Sequence, residues 1–240
     1  FWPKLIAGPI ERFPRFTGQV AGGLRFRWAN LWLALELGVY GLALKTMLGD
    51  FLAPEVNKVY GSPLSYSPAD NLVAMLLYTF QIYGDFTGYT LMTMGAARLM
   101  GVRIGPNFRR PNFARSFTDF WNRWHISLSS FLNEYIYRNL PYRRSEGVIA
   151  RNQIVTMLVS GLWHGPAWTF VAWGGLHGLF LVLQRQVTRL TRPLYDAVPS
   201  LGRWTLLPQI GCVFAMVAIS RVFFRADSIG QALSIFGHII

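Results

Sequence analysis

The chain has 240 residues, 52% of them hydrophobic and 14% charged, with 9 Trp and 18 Phe; soluble domains carry roughly 25% charged residues, so this is a membrane composition. The formal charge of +12 falls in short clusters between apolar runs, not over one soluble face, which argues against a nucleic-acid partner and reads as cytoplasmic loop charge beside membrane lipid. Cys212 is the single cysteine and lies in an apolar run, which excludes a disulfide framework and a cysteine-based metal site.

The chain opens Phe1-Trp2-Pro3 without an initiator Met or the charged start and short apolar core of a signal peptide; the expectation is a fragment lacking earlier membrane spans. Four apolar tracts follow, separated by basic connections marked by Pro and Gly. The first, Leu31 to Leu48, contains Glu36 and Lys45, and Glu36 is expected to face the bundle or to snorkel near an end. The second, Leu72 to Ala97, carries Asp85 near its middle between Gly84 and Gly88, where small residues allow close helix approach or a break in the helix.

Next, Arg103, Arg109, Arg110 and Arg115 lead into a segment in which Phe117, Phe120, Trp121, Trp124, Leu128, Phe131, Leu132 and Tyr135 recur mostly at steps of three or four. That spacing predicts an amphipathic helix lying in the interface or dipping into the membrane. The third tract, Asn152 to Gln184, contains no Asp, Glu, Lys or Arg. The fourth, Trp204 to Phe224, is interrupted by Pro208 and ended by Arg221 and Arg225.

The arginines orient these tracts. The clusters Arg98 to Arg115 and Arg138, Arg143, Arg144 and Arg151 both belong on the cytoplasmic side, so the aromatic helix between them need not cross. Arg185, Arg189 and Arg192 return the third tract to that side, while Arg203 and Arg225 leave the direction of the fourth open. As one helix the third tract would extend about 50 Å against a hydrocarbon core of roughly 30 Å, and two full spans would need roughly 40 residues. The prediction is a short re-entrant helical hairpin broken at Gly161, Gly165 and Pro166, with His164 at its apex. An ionisable side chain at such depth points to function; the plainer alternative is a neutral histidine hydrogen-bonded between packed helices.

Several runs, in this order, carry a resemblance: Ala7-Gly8-Pro9-Ile10-Glu11-Arg12-Phe13, Asp85-Phe86-Thr87-Gly88-Tyr89, Phe120-Trp121-Asn122-Arg123-Trp124-His125-Ile126-Ser127-Leu128-Ser129, Gly161-Leu162-Trp163-His164-Gly165-Pro166-Ala167-Trp168, Gly174-Gly175-Leu176-His177-Gly178 and Phe223-Phe224-Arg225-Ala226. Together they resemble the membrane-bound O-acyltransferase (MBOAT) family, in its bacterial polysaccharide-modifying branch. The resemblance implies an all-α, polytopic membrane bundle with re-entrant and interfacial helices, a single domain over residues 1–240, in a bacterial inner membrane. It also implies transfer of an acyl group from a thioester, acyl-CoA or an acyl carrier protein, to a hydroxyl, with no tightly bound cofactor. The Gly-Leu-Trp-His-Gly-Pro-Ala-Trp-Thr run looks more like alginate-type O-acetylases than the transferases that pass D-alanine toward teichoic acids. Periplasmic partners that complete modification of the polysaccharide are implied as well. By motif, His125 and His164 correspond to the family's two characteristic histidines, His164 to the catalytic one; His177 is expected to pack, and His238 lies in no motif.

The chemistry fits these residue types. An acceptor hydroxyl is a poor nucleophile, and a neutral imidazole in hydrogen-bond reach can take its proton as it attacks the thioester carbonyl; histidine, with an unperturbed pKa of about 6.5, is mostly free base near pH 7. Donors for the oxyanion are sought among His125, Asn122, Trp163 and backbone N–H groups beside Gly165. Trp121, Asn122, Arg123, Trp163 and Asp85 are the expected substrate-binding residues. Arg109, Arg110, Arg115 and Arg123 can hold an anionic donor or serve topology and lipid headgroups. Ser127, Ser129 and Ser160 read equally as hydrogen-bonding helix residues, so no seryl intermediate is expected, and the scattered histidines with no acidic cluster support no metal site. The rival functions are a transporter or flippase, which also uses broken helices and intramembrane charges, and a lipid O-acyltransferase.

Overall fold

Every regular element among the described residues is helical. The structure, a computed structural model, describes residues 8–141 and 145–239; Phe1-Trp2-Pro3, Ala7 of the first shared run, and Arg143 and Arg144 of the basic cluster lie outside them. After a short α1 (Phe13–Val20), the first apolar tract forms α2 (Leu31–Leu44), a π-helical stretch (Lys45–Asp50) and α3 (Phe51–Gly61). The helical path therefore runs beyond the expected end at Leu48, and Trp28–Gly61 is long and apolar enough to cross a membrane. Pro54 lies in the first turn of α3, where its missing N–H leaves the Asp50 carbonyl without its usual helical donor, just after the widened π turn.

The second tract is α4 (Pro68–Leu99). Its start is specified locally: the Ser67 hydroxyl accepts from the Asp70 N–H at 3.2 Å while the Asp70 carboxylate accepts from the Ser67 N–H at 3.0 Å, with Pro68 at the first helical position, a capping box with its favoured proline. Gly84 and Gly88 do not break this helix. They let α4 touch the first tract backbone to backbone, since a Cβ on Gly88 would fall 2.6 Å from the Gly41 carbonyl oxygen. Glu36 is exposed on the outer face of α2.

The aromatic segment differs from the single amphipathic helix predicted for it. It divides into α5 (Phe117–Trp121) and α6 (Ile126–Tyr135), with His125 between them in the left-handed region. The third tract is a helical hairpin, α7 (Glu146–His164) and α8 (Trp168–Ala197), turning at 165–167. Gly161 lies inside α7 and not in the turn; its role is contact between the arms. A short α9 (Leu201–Trp204) leads into α10 (Leu206–Arg225), the second helix able to cross a membrane by length and composition. Pro208, expected to interrupt this tract, sits in the first turn of α10, where a missing N–H costs little. The last element is α11 (Ile229–Ile239).

The fourth tract holds the bundle together. One apolar core joins Val56 and Tyr60 of α3, Met75 and Tyr78 of α4, Ala218 and Val222 of α10 and Ile235 of α11. A second joins Phe117, Phe120 and Trp121 of α5, Met157 of α7, Trp173 and Phe180 of α8, and Val213 and Val217 of α10. The opposite surfaces stay apolar, with Trp32 81% and Leu190 79% exposed, as suits contact with lipid tails that are themselves as apolar as leucine.

Candidate active site

The hairpin turn is written into Gly165-Pro166. Proline has no N–H to continue α7 and disfavours helical geometry in the residue before it, so the helix ends on His164. The arms are fixed by backbone contact: a Cβ on Gly161 would collide with the Phe170 carbonyl, one on Gly174 with the Met157 carbonyl, and one on Gly178 would lie 2.9 Å from the Ile154 Cα. At the base, the Arg185 Nε donates to the Glu146 carboxylate at 2.6 Å. His164 is thereby held at the turn, half-buried, with Trp163, Trp173 and Phe224 set edge-on to its ring at centroid distances of 4.9, 5.2 and 4.9 Å.

His125 is placed by a different device. Its φ of 45° and ψ of 52° are unusual for a residue with a Cβ, at a cost of roughly 1–2 kcal/mol, and a preceding loop holds it there. The Ile126 N–H donates to the Asn107 carbonyl at 3.0 Å and the Arg109 N–H to the Arg123 carbonyl at 2.9 Å. Asn107 is fully buried; its side-chain carbonyl accepts from the Ser127 hydroxyl at 2.6 Å. The result is a buried imidazole edge-on to Phe86 at 4.6 Å and to Trp163 at 5.8 Å. One indole, Trp163, thus packs against both histidines.

Both imidazoles line one cavity of about 50 Å³, together with His177 and Arg221. No Asp or Glu is among its described lining residues. His177 is packed as expected, edge-on to Trp121 at 5.1 Å, yet it is also part of this wall. The Ser220 hydroxyl donates to the Val217 carbonyl at 2.7 Å, so its oxygen accepts from His177 Nε2–H at 3.0 Å, leaving His177 Nδ1 as the unprotonated nitrogen. The space suits a water-sized group, whose share of liquid volume is about 30 Å³, and not a sugar. Trp163, packed on both imidazoles, is itself 51% exposed.

A second, larger cavity of about 440 Å³ lies beside the first, lined by Trp121, Asn122, Ser129, Gln153 and Thr156 among others. Trp121 stands between the two, its ring also packed on His177 and Trp173. Asn122 opens onto the larger cavity only. Arg123 lines neither: its Nε donates to the Asp119 carboxylate at 2.7 Å. Burial opposes ionisation of Asp119, but the Arg123 and Arg115 hydrogen bonds and the two guanidinium charges outweigh it and hold the carboxyl below its usual range. Asp85 also lines neither cavity, pairing with Lys45 Nζ at 2.6 Å, whereas its neighbour Phe86 reaches the histidine cavity. Arg109, Arg110 and Arg115 are exposed. The Ser127 hydroxyl bonds Asn107 and the Ser129 hydroxyl the Trp124 carbonyl at 3.2 Å; His238 Nε2 bonds the Tyr66 carbonyl at 2.7 Å.

Arg221, at the end of the fourth tract, is a wall residue that the sequence motifs do not include. Val217, Arg221 and Phe224 follow one another at helical spacing and all line the cavity, so the signal was available: an arginine on the apolar face of a helix, continuing its stripe.

The model of the membrane-bound O-acyltransferase family matches residues 1–222. A peptidoglycan O-acetyltransferase of Helicobacter pylori is 35% identical over 98% of this chain and 44% of its own length. A probable alginate O-acetylase AlgI of Pseudomonas aeruginosa is 33% identical over 96% of this chain and 42% of its own length, and a teichoic acid D-alanyltransferase of Streptococcus thermophilus is 28% identical over 93% of this chain and 59% of its own length. The chain thus spans about half the length of the curated relatives it matches.

Proposed function

Since the chain belongs to the membrane-bound O-acyltransferase family, we propose that it moves an acetyl group from a thioester donor to a hydroxyl of an exported cell-surface polysaccharide. The observation that carries this reading is that His125 and His164, from separate sequence motifs, line one small cavity with no Asp or Glu among its described lining residues. His164 is the general base. It takes the acceptor proton as the acceptor oxygen bonds the thioester carbon, and returns it to the sulfur as the C–S bond breaks and the ester forms. His125, held in a costly backbone geometry, positions the reacting groups; strained backbone of this kind recurs at functional sites. No protein nucleophile and no tightly bound cofactor enter this sequence of bonds.

The larger cavity is the approach for the donor, acetyl-CoA or a carrier-protein thioester. It lies against α6 and α7, next to the segments carrying Arg138 and Arg151, which are basic and assigned to the cytoplasmic side. The site as a whole belongs in a multi-pass protein of the bacterial inner membrane, with periplasmic partner proteins completing polymer modification. Acetyl transfer is favoured over D-alanyl transfer because the identities to relatives named as acetylases, 35% and 33%, exceed the 28% to the D-alanyltransferase.

The test is transfer of radiolabelled acetyl groups by full-length protein in reconstituted vesicles. Label is expected in the polysaccharide fraction, lost in His164→Ala and strongly reduced in His125→Ala, with membrane insertion intact. Wild-type turnover in His164→Ala removes that residue from the mechanism. Label in extractable lipid points to a lipid acceptor, and polymer transport without incorporation to a carrier.

A further inference from the structure

Arg221 is the only Lys or Arg among the described residues lining the histidine cavity, and the residue is 3% exposed. Two contacts fix it. Nη1 donates to the Thr79 carbonyl of α4 at 3.2 Å, and the guanidinium carbon lies 4.4 Å from the centroid of the Trp124 ring, a cation–π arrangement. Neither partner carries a negative charge. Nη2 is buried with no hydrogen-bond partner. A buried guanidinium without a counter-charge is costly to keep, and a donor left unmade in the interior adds to that cost. Such a group is justified where negative charge arises only transiently, because a fixed cation then favours the charged state over what precedes it.

The proposed acyl transfer creates one such charge in this space. When the acceptor oxygen bonds the thioester carbon, its proton passes to His164 and the carbonyl π pair moves onto oxygen; collapse restores the C=O, breaks the C–S bond, and the sulfur takes the proton from His164. We propose that Arg221, through Nη2, is the donor that stabilises this oxyanion, an assignment that rests on the acyl-transfer reading. Of the donors named from sequence, His125 lines the same cavity without carrying a fixed charge, and the Gly165 N–H is committed to the Leu162 carbonyl at 3.2 Å. Asn122 faces the larger cavity, and the Nε2–H of His177, also on the wall, is committed to Ser220.

The experiment compares Arg221→Met and Arg221→Lys with wild-type full-length protein in vesicles, following labelled acetyl transfer while donor and acceptor concentrations are varied, with thermal unfolding measured on each variant. Arg221→Met is expected to lower kcat by about 100- to 1,000-fold and to change either KM by no more than about threefold, the pattern of an interaction made only in the transition state. Arg221→Lys, which keeps the charge without the planar fork, is expected to recover at least about tenfold over Met. A Met variant with at least a third of wild-type kcat, a loss confined to KM, or equal losses in both variants that track a lowered melting temperature would each overturn the assignment. If the Met variant does not fold, Lys decides: a tenfold or greater loss of kcat at unchanged KM supports the assignment, and wild-type kcat refutes it. Active Arg221→Met beside inactive His164→Ala sinks this assignment alone, whereas a wild type that transfers no label sinks the acyl-transfer reading and the assignment with it.

Discussion

Replacing Gly161 by alanine tests whether the arms of the hairpin set the position of His164. Gly161 lies one turn before His164 on α7, and a Cβ there would lie 3.0 Å from the Phe170 carbonyl carbon and closer still to its oxygen. Both atoms are backbone, so no side-chain rotation relieves the overlap; the arms must part by roughly 1 Å to regain van der Waals distance. Alanine is worth about 0.8–1 kcal/mol more than glycine in a helix interior, while overpacking of this kind costs typically 1–3 kcal/mol, so the net effect is a loss of up to about 2 kcal/mol. The larger effect is on turnover, because a displacement of about 1 Å at a reacting group can lower it about 100-fold. Gly175 is the control on the facing arm. A Cβ there meets only Leu158 Cδ2 at 3.7 Å, so Gly175→Ala keeps the propensity gain and full activity. The assays are thermal unfolding in detergent and acetyl transfer in vesicles. A Gly161→Ala protein that melts and turns over like Gly175→Ala would refute the claim that backbone contact fixes the apex.

Two further outcomes are expected. Asn107→Ala removes the acceptor of the Ser127 hydroxyl bond and should destabilise the protein by about 1–3 kcal/mol, with kcat falling further than KM rises as His125 leaves its left-handed geometry; kinetics and thermal unfolding on the same preparation check this. Glu146, in the hairpin base, has its carboxyl lowered by the hydrogen bond from Arg185, with burial opposing and the Arg185 and Arg189 charges adding. A depressed folded value means its contribution is present above the unfolded carboxylate range and is lost as pH falls through the folded value. The melting temperature of the wild type should therefore exceed that of Glu146→Gln at neutral pH and converge with it in acid; an unchanged difference in acid would refute the pairing.

The place of His164 at a helix end was readable because the residues that stop α7 there are local. Gly165-Pro166 favours a helix end, and α7 stops at His164; the uncharged run from Asn152 to Gln184 understated the arms, which extend beyond it to Glu146 and Ala197. The division of the aromatic segment was not readable, since the pattern from Phe117 to Tyr135 keeps helical spacing across the break. What interrupts it is Asn107, a partner distant in sequence, whose carbonyl takes the Ile126 N–H. The glycines beside Asp85 left two options open, and only the facing Gly41 and Gly49 select close approach. Asp85 and Arg123 looked equally functional beside motif residues. Their ion pairs with Lys45 and Asp119 depend on which way each side chain turns from its helix, and for Asp85 on a partner from another tract. Arg221 sits near the end of an apolar run, where an arginine marks a terminus as readily as a site, and only the packing of α10 against α4 and α8 distinguishes the two.

The walls of the histidine cavity come from stretches of chain made at different times. Among these residues Phe86 is synthesised first, His125, His164 and His177 follow, and Val217, Arg221 and Phe224 of α10 come last. Until α10 packs between α4 and α8, the imidazoles have neither their floor nor a neighbouring fixed charge. On the proposed mechanism, a ribosome-bound intermediate lacking α10 would hold both histidines and still be inert, so competence for chemistry would follow the docking of that one helix.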